Sequence, residues 1–154
     1  MLYEGNFSPP AGRFAIVAAR FNAFVVDQLL AGAVDALRRH SVTDDRIDIV
    51  RVPGSFEIPP VAQKLGKSGK YAAVICLGCV IRGETGHYDH VAGAATNGIA
   101  AASVQCGVPV IFGVLTTETL EQAIDRAGAK AGNKGFEAAV TAVEMVNLFA
   151  KLPG

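Results

Sequence analysis

The segment Arg82-Gly83-Glu84-Thr85-Gly86-His87 holds the densest chemistry in the chain. Its glycines let backbone N–H groups approach a ligand, and a helix starting just beyond adds the positive end of its dipole. The segment therefore reads as a phosphate cradle. A glycine-rich strand-to-helix turn is more often only a tight turn, so the motif alone decides little. His87 adds an imidazole beside the cradle, a group suited to acid–base work near neutral pH. His87 and His90 with Asp89 between them also have metal-ligand spacing, but no third ligand stands at a recognisable distance along the chain. His90 reads as a partly buried packing residue, and His40, at a predicted helix end, as a cap for carbonyls.

Two further residues admit two readings. Arg126 follows Glu118, Glu121 and Asp125 in one predicted helix, and on composition a solvated, ion-paired face is favoured. Phe21, between Arg20 and Asn22, is either core or a platform for a planar ring, and the residues leave this open. Cys76 and Cys79 form a C-x-x-C, yet Ile75, Leu77, Val80 and Ile81 surround them, whereas a redox pair needs an exposed helix start. They read as small core or pocket-wall residues. With Cys106 they make an odd set of three, which fits a reduced, cytoplasmic protein.

The elements that must position these groups alternate. Residues 13–19 form a short β-prone run. Residues 24–40 carry apolar side chains at Val26, Leu29, Leu30, Ala33, Val34 and Leu37, which is helical spacing. Residues 46–52 alternate as a strand that Pro53-Gly54 ends, and Pro59-Pro60 fits only the first turn of a helix. Residues 71–81 are the most continuous apolar run, as expected of a central parallel strand buried on both faces. The small-residue segment 87–105 follows, then a strand at 109–115 and helices at 118–127 and 135–151. Four strands alternating with helices predict a flavodoxin-like, doubly wound parallel sheet in a three-layer sandwich, with ligands at the carboxyl ends of the strands. Residues 20–22, 53–57, 80–87 and 115–117 are those ends, each unusually polar or glycine-rich.

The chain has 154 residues, with no repeat or linker, so a single domain is expected, its first 12 residues an extended arm. Charged residues are only 18% of the total against 51% hydrophobic, a deficit that asks for surface buried between subunits. Fourteen basic and fourteen acidic side chains leave no basic footprint for nucleic acid. No export signal or membrane-spanning run is predicted.

The blocks Arg20-Phe21-Asn22, Val52-Pro53-Gly54-Ser55-Phe56-Glu57-Ile58-Pro59, Gly78-Cys79-Val80-Ile81-Arg82-Gly83-Glu84-Thr85-Gly86-His87, Gly113-Val114-Leu115-Thr116-Thr117, Glu121-Gln122-Ala123-Ile124-Asp125-Arg126-Ala127-Gly128 and Ala131-Gly132-Asn133-Lys134-Gly135 resemble, in order, the lumazine synthases. The resemblance implies condensation of 5-amino-6-(D-ribitylamino)uracil with L-3,4-dihydroxy-2-butanone 4-phosphate, releasing phosphate and water, in riboflavin biosynthesis. It implies that Phe21 stacks on the pyrimidine, with Asn22 beside it, that Ser55, Phe56 and Glu57 line the ribityl chain, and that Val80 and Ile81 offer backbone contacts. It further implies that Gly83, Glu84 and Thr85 hold the phosphate with Arg126, which overturns the solvated-face reading of that residue, and that His87 shuttles protons. It also implies that Phe112 and Lys134 complete the site from a neighbouring subunit and that Glu137 orients Lys134 or Arg126.

The substrate's own amine is the nucleophile, so the resemblance implies neither metal nor organic cofactor. It implies a homo-oligomer of pentamers, with a loop at 128–134 like that of members closing into sixty-subunit shells, and a functional association with riboflavin synthase. Ser55, Cys79 and His90 depart from the family's common residues, alanine, threonine or alanine, and an aromatic. The competing class is a flavodoxin-like binding or shell-forming module without catalysis; a phosphate clamp beside a proton shuttle speaks against it.

Overall fold

A computed structural model describes residues 1–154 and has four parallel strands in the order β2-β1-β3-β4. These are β1 (Phe14–Ala19), β2 (Ile47–Val52), β3 (Ala73–Ile81) and β4 (Val110–Thr117). Five helices cover both faces: α1 (Ala23–Arg39), α2 (Ile58–Lys67), α3 (His87–Gln105), α4 (Leu120–Arg126) and α5 (Lys134–Phe149). The doubly wound α/β fold is the expected one. β1 and β3 lie inside the sheet, so every residue of β1 and all of β3 up to Val80 is buried. The strand period of two divides them. Phe14, Ile16, Ala18, Ile75, Leu77 and Cys79 face the layer of α1, α4 and α5, while Ala15, Val17, Val74, Cys76 and Val80 face α2 and α3. β2 closes one edge, and there Ile49 is largely exposed, so its apolar alternation covers less than the sequence pattern implies.

Local chemistry sets the element ends. Pro59 and Pro60 occupy the first turn of α2, where no N–H is required. α4 begins at Leu120 rather than 118 because Thr119 and Gln122 form a reciprocal capping box. β4 runs on to Thr117 because Thr116 and Thr117 stay in register with Val80 and Ile81. The His40 ring lies 2.6 Å from the Ala36 carbonyl, the expected cap. α5 crosses α1 closely at Gly135, where any Cβ would run into the Leu29 carbonyl. Residues 1–13 form neither helix nor strand and lie along α5, the Asn147 amide donating to the carbonyls of Asn6 and Ser8 at 2.9 Å.

At the amino ends of the strands, Asp48 of β2 joins three segments. It accepts from the Tyr71 hydroxyl at 2.6 Å and from Arg13 at 2.9 Å, and pairs with Lys70 at 3.2 Å. The Tyr71 hydrogen bond, then those of Arg13 and Lys70, hold the Asp48 carboxyl down at about 2. An unfolded aspartate titrates near roughly 3.9, so this stabilisation is complete above that value and is lost as pH falls toward about 2. Urea midpoints of wild type and Asp48→Asn should therefore differ most above pH 5 and converge as pH falls from about 4 to about 2; a constant gap would refute the linkage.

Candidate active site

β3 is longer than β1, and the site begins there. Pairing between them ends at Ala18 and Leu77, so the last residues of β3 have no strand on that side. Backbone groups alternate sides along a parallel strand. Cys79 and Ile81 therefore turn theirs toward the gap, while Val80 faces β4. Asn22 closes part of the gap: its amide donates to the Cys79 carbonyl at 2.8 Å. Asn22 sits in the left-handed region, φ 60°, which asparagine tolerates better than most residues, and α1 starts immediately after it. The Ile81 N–H and C=O remain open to a ligand.

A cavity of about 500 Å³ fills this gap at the carboxyl ends of β1, β2 and β3, where the strand order reverses. Phe21 and Asn22 come from the β1 end, and residues 53–57 from the β2 end. Cys79, Val80 and Ile81 come from β3, and His87, Tyr88, His90 and Val91 from the first turns of α3. Phe21 is 68% exposed and lines the cavity, which excludes the core reading. Backbone hydrogen bonds from Arg20 to Val52 and from Phe21 to Pro53, at 2.7 and 2.9 Å, hold it beside the β2 turn. Ser55 is buried with its hydroxyl unpartnered, and it fits because Gly78 has no side chain to meet it.

The turn at residues 82–86 is exposed, and a Cβ on Gly83 or Gly86 would meet nothing within 4 Å. Packing therefore does not require glycine there; what glycine provides is uncovered backbone. The His87 N–H donates to the Thr85 hydroxyl at 3.3 Å, shaping the turn into α3. Arg82 anchors its base. Its guanidinium pairs with Glu118 at 2.9 Å and Asp89 at 3.4 Å, and lies 4.4 Å from the Tyr88 ring centre. Sequence reading missed this clamp because Glu118 is distant in the chain.

His90 corrects an expectation: it is exposed and lines the cavity instead of packing. The packed stripe of α3 runs through Ala95, Ile99 and Ala102, and a residue five before Ala95 falls off it. His90 instead lies one turn beyond His87. The i,i+3 spacing could have revealed this.

Phe112, Arg126 and Lys134 are not brought to this cavity. Phe112 pairs with Cys76, four residues below the level of Val80, or roughly 13 Å down the edge strand. Arg126 and Lys134 end α4 and begin α5, in the helix layer on the other face of the sheet. Arg126 is exposed and Lys134 half-buried, and neither has an ion-pair partner within the chain. Glu137 is exposed nearby.

No three His, Cys, Asp or Glu side chains converge as metal ligands, and no helix is long and apolar enough to cross a membrane. An open apolar cavity at the switch point of a flavodoxin-like sheet, walled by aromatics with one carboxylate and two imidazoles, has the form of a small-molecule binding site in an α/β enzyme fold. The model of the 6,7-dimethyl-8-ribityllumazine synthase family matches residues 11–150, and the chain belongs to that family. Membership makes it a transferase-type enzyme of riboflavin biosynthesis, handling small molecules as an oligomer.

Cys76 and Cys79 are not placed as a redox pair. Cys76 and Cys79 point to opposite faces of the sheet, and burial pushes the Cys79 thiol up to about 11 and Cys76 higher still. Cys106 is half-buried, its thiol 3.5 Å from the Val108 carbonyl. In the native protein a thiol reagent should modify Cys106 first, with Cys76 and Cys79 reacting only on unfolding; rapid modification of the latter pair would revive a redox role.

Proposed function

We propose that the protein condenses 5-amino-6-(D-ribitylamino)uracil with L-3,4-dihydroxy-2-butanone 4-phosphate, giving 6,7-dimethyl-8-ribityllumazine, phosphate and water. The observation that carries this reading is the single cavity that gathers Phe21, Asn22, Ser55, Phe56, Glu57, Val80, Ile81 and His87 in a chain of this family. Phe21 stacks on the pyrimidine, and the open backbone of Ile81 hydrogen-bonds its edge, with Val80 alongside. Ser55, Phe56 and Glu57 line the ribityl chain, whose hydroxyls satisfy the unpartnered Ser55 oxygen.

The uncovered backbone at Gly83 and Glu84 and the Thr85 hydroxyl take the phosphate, and Arg126 pairs its charge. His87, first residue of α3, carries protons as the substrate amine forms an imine with the ketone and as phosphate leaves. Arg126, Lys134 and Phe112 lie away from their own chain's cavity, so a neighbouring copy supplies them, and a lone protomer has half a site. Pentamers, as the bare ring or as the units of a sixty-subunit shell, satisfy this need and bury the poorly charged surface. The enzyme works in the cytoplasm, consistent with three free cysteines, and passes its product to riboflavin synthase. Reacting groups reside on the substrates, so neither metal nor organic cofactor is needed.

Micromolar enzyme given both substrates should produce the fluorescent lumazine, unchanged after exhaustive chelation. No product would refute the proposed reaction, and activity lost to chelation and restored by zinc would reassign His87, Asp89 and His90 as ligands. Within that reaction Arg126 outweighs His87. General acid–base groups are worth roughly a hundred- to ten-thousandfold, and water or a substrate group can partly stand in for His87. Neither water nor a substrate group can replace the cation paired with a phosphate that is both handle and leaving group. Arg126→Ala should lose more kcat/KM than His87→Ala, and its KM for the keto-phosphate should rise more than that for the pyrimidine. Steady-state kinetics on assembled variants checks this; a near-normal Arg126→Ala beside a dead His87→Ala reverses the roles.

A further inference from the structure

Arg126 and Lys134 have no side-chain partner in their own chain, so their spacing is set by the backbone that carries them. That backbone is a tight loop, with Gly128 and Gly132 in the left-handed region at φ 115° and 79°. Asn133 closes it. Its side-chain oxygen accepts the Phe136 N–H at 3.0 Å and caps α5. Its amide donates to the Ala127 carbonyl at 3.1 Å and to the Gln28 carbonyl of α1 at 3.0 Å. A backbone bridge joins Ala127 to Asn133 as well. Gly32 of α1 leaves the room this side chain fills, since a Cβ there would collide with it. One amide thus fastens the residue after Arg126 and the residue before Lys134 to each other and to α1.

We propose that Asn133 is a positioning residue, fixing Arg126 and Lys134 at the separation needed to receive the phosphate-bearing substrate in the neighbouring copy's cavity. The inference rests on the reaction proposed above. Capping alone would be served by aspartate, serine or threonine. Only an amide accepts on one atom while donating twice from the other, and a carboxylate cannot donate to either carbonyl. The two functions are therefore separable by Asn133→Asp, which keeps the cap and removes both donations. Displacement of a binding cation by about 1 Å is sufficient to cost up to roughly a hundredfold.

The test is steady-state kinetics of Asn133→Asp, alone and with Arg126→Ala, on protein shown to be assembled. We expect KM for the keto-phosphate to rise about tenfold, with KM for the pyrimidine within about twofold, and a smaller loss when Asn133→Asp is added to Arg126→Ala than in the wild-type background, because only Lys134 is then left to displace. Should Asn133→Asp not assemble, Asn133→Ser keeps a capping oxygen without the donations and carries the same expectation. An unchanged keto-phosphate KM, an equal rise for both substrates, or a full additional loss in the Arg126→Ala background would overturn the positioning role while leaving the reaction intact. A wild-type protein that forms no lumazine would overturn both.

Discussion

The site exists because β3 runs past the end of β1. The β1–β2 and β3–β4 pairings run to the carboxyl ends of their strands, and an unpaired backbone edge inside a protein is costly unless something else satisfies it. Here the Asn22 amide takes one carbonyl, and the rest is left for a ligand. The left-handed turn at Asn22, the exposure of Phe21 and the start of α1 all follow from that one substitution of a side chain for a strand. The sheet is buried on both faces, so the gap can open only at its carboxyl end, beside the turn that leads into α3.

A second constraint separates the cavity from Arg126 and Lys134 of the same chain. α2 and α3 cover one face and α1, α4 and α5 the other, and a four-stranded sheet lies between. Side chains cannot reach through it. In the proposed reaction, residues at the α4–α5 loop therefore serve a different copy's cavity, and assembly becomes part of the chemistry instead of a means of storage or stability. The scarcity of charge in the sequence fits that proposal.

Much of this was legible in the sequence. The apolar run ending at Ile81, the paired prolines at 59 and 60 and the helical spacing after Phe24 record interactions between near neighbours, and they gave the fold and the loops that carry the cavity. The residues that resisted reading depend on distant partners or on the exact face of a helix. Arg82 is held by Glu118, and Phe21 owes its exposure to β1 ending short of β3. His90 was misplaced because α3 is built of small residues, whose apolar character runs all round the helix and hides which stripe is packed. Asn133 looked like part of a family motif, while its bonds to Gln28 and Ala127 appear only when α1 and α5 cross.

That crossing joins the first helix of the chain to the last. Leu29, Ala33, Ala36 and Leu37 of α1 are fully buried, and α5, made last, is one of the elements that bury them. During synthesis the ribosome delivers β1, α1, β2, α2 and β3 before α5, so the part of this stripe that α5 covers stays open until α5 has been made. Contacts between such distant segments also form slowly. The glycines at 32 and 135, which let the two helices approach, thus make closure of the α1–α5 contact a late step of folding, possible only once α5 has been made.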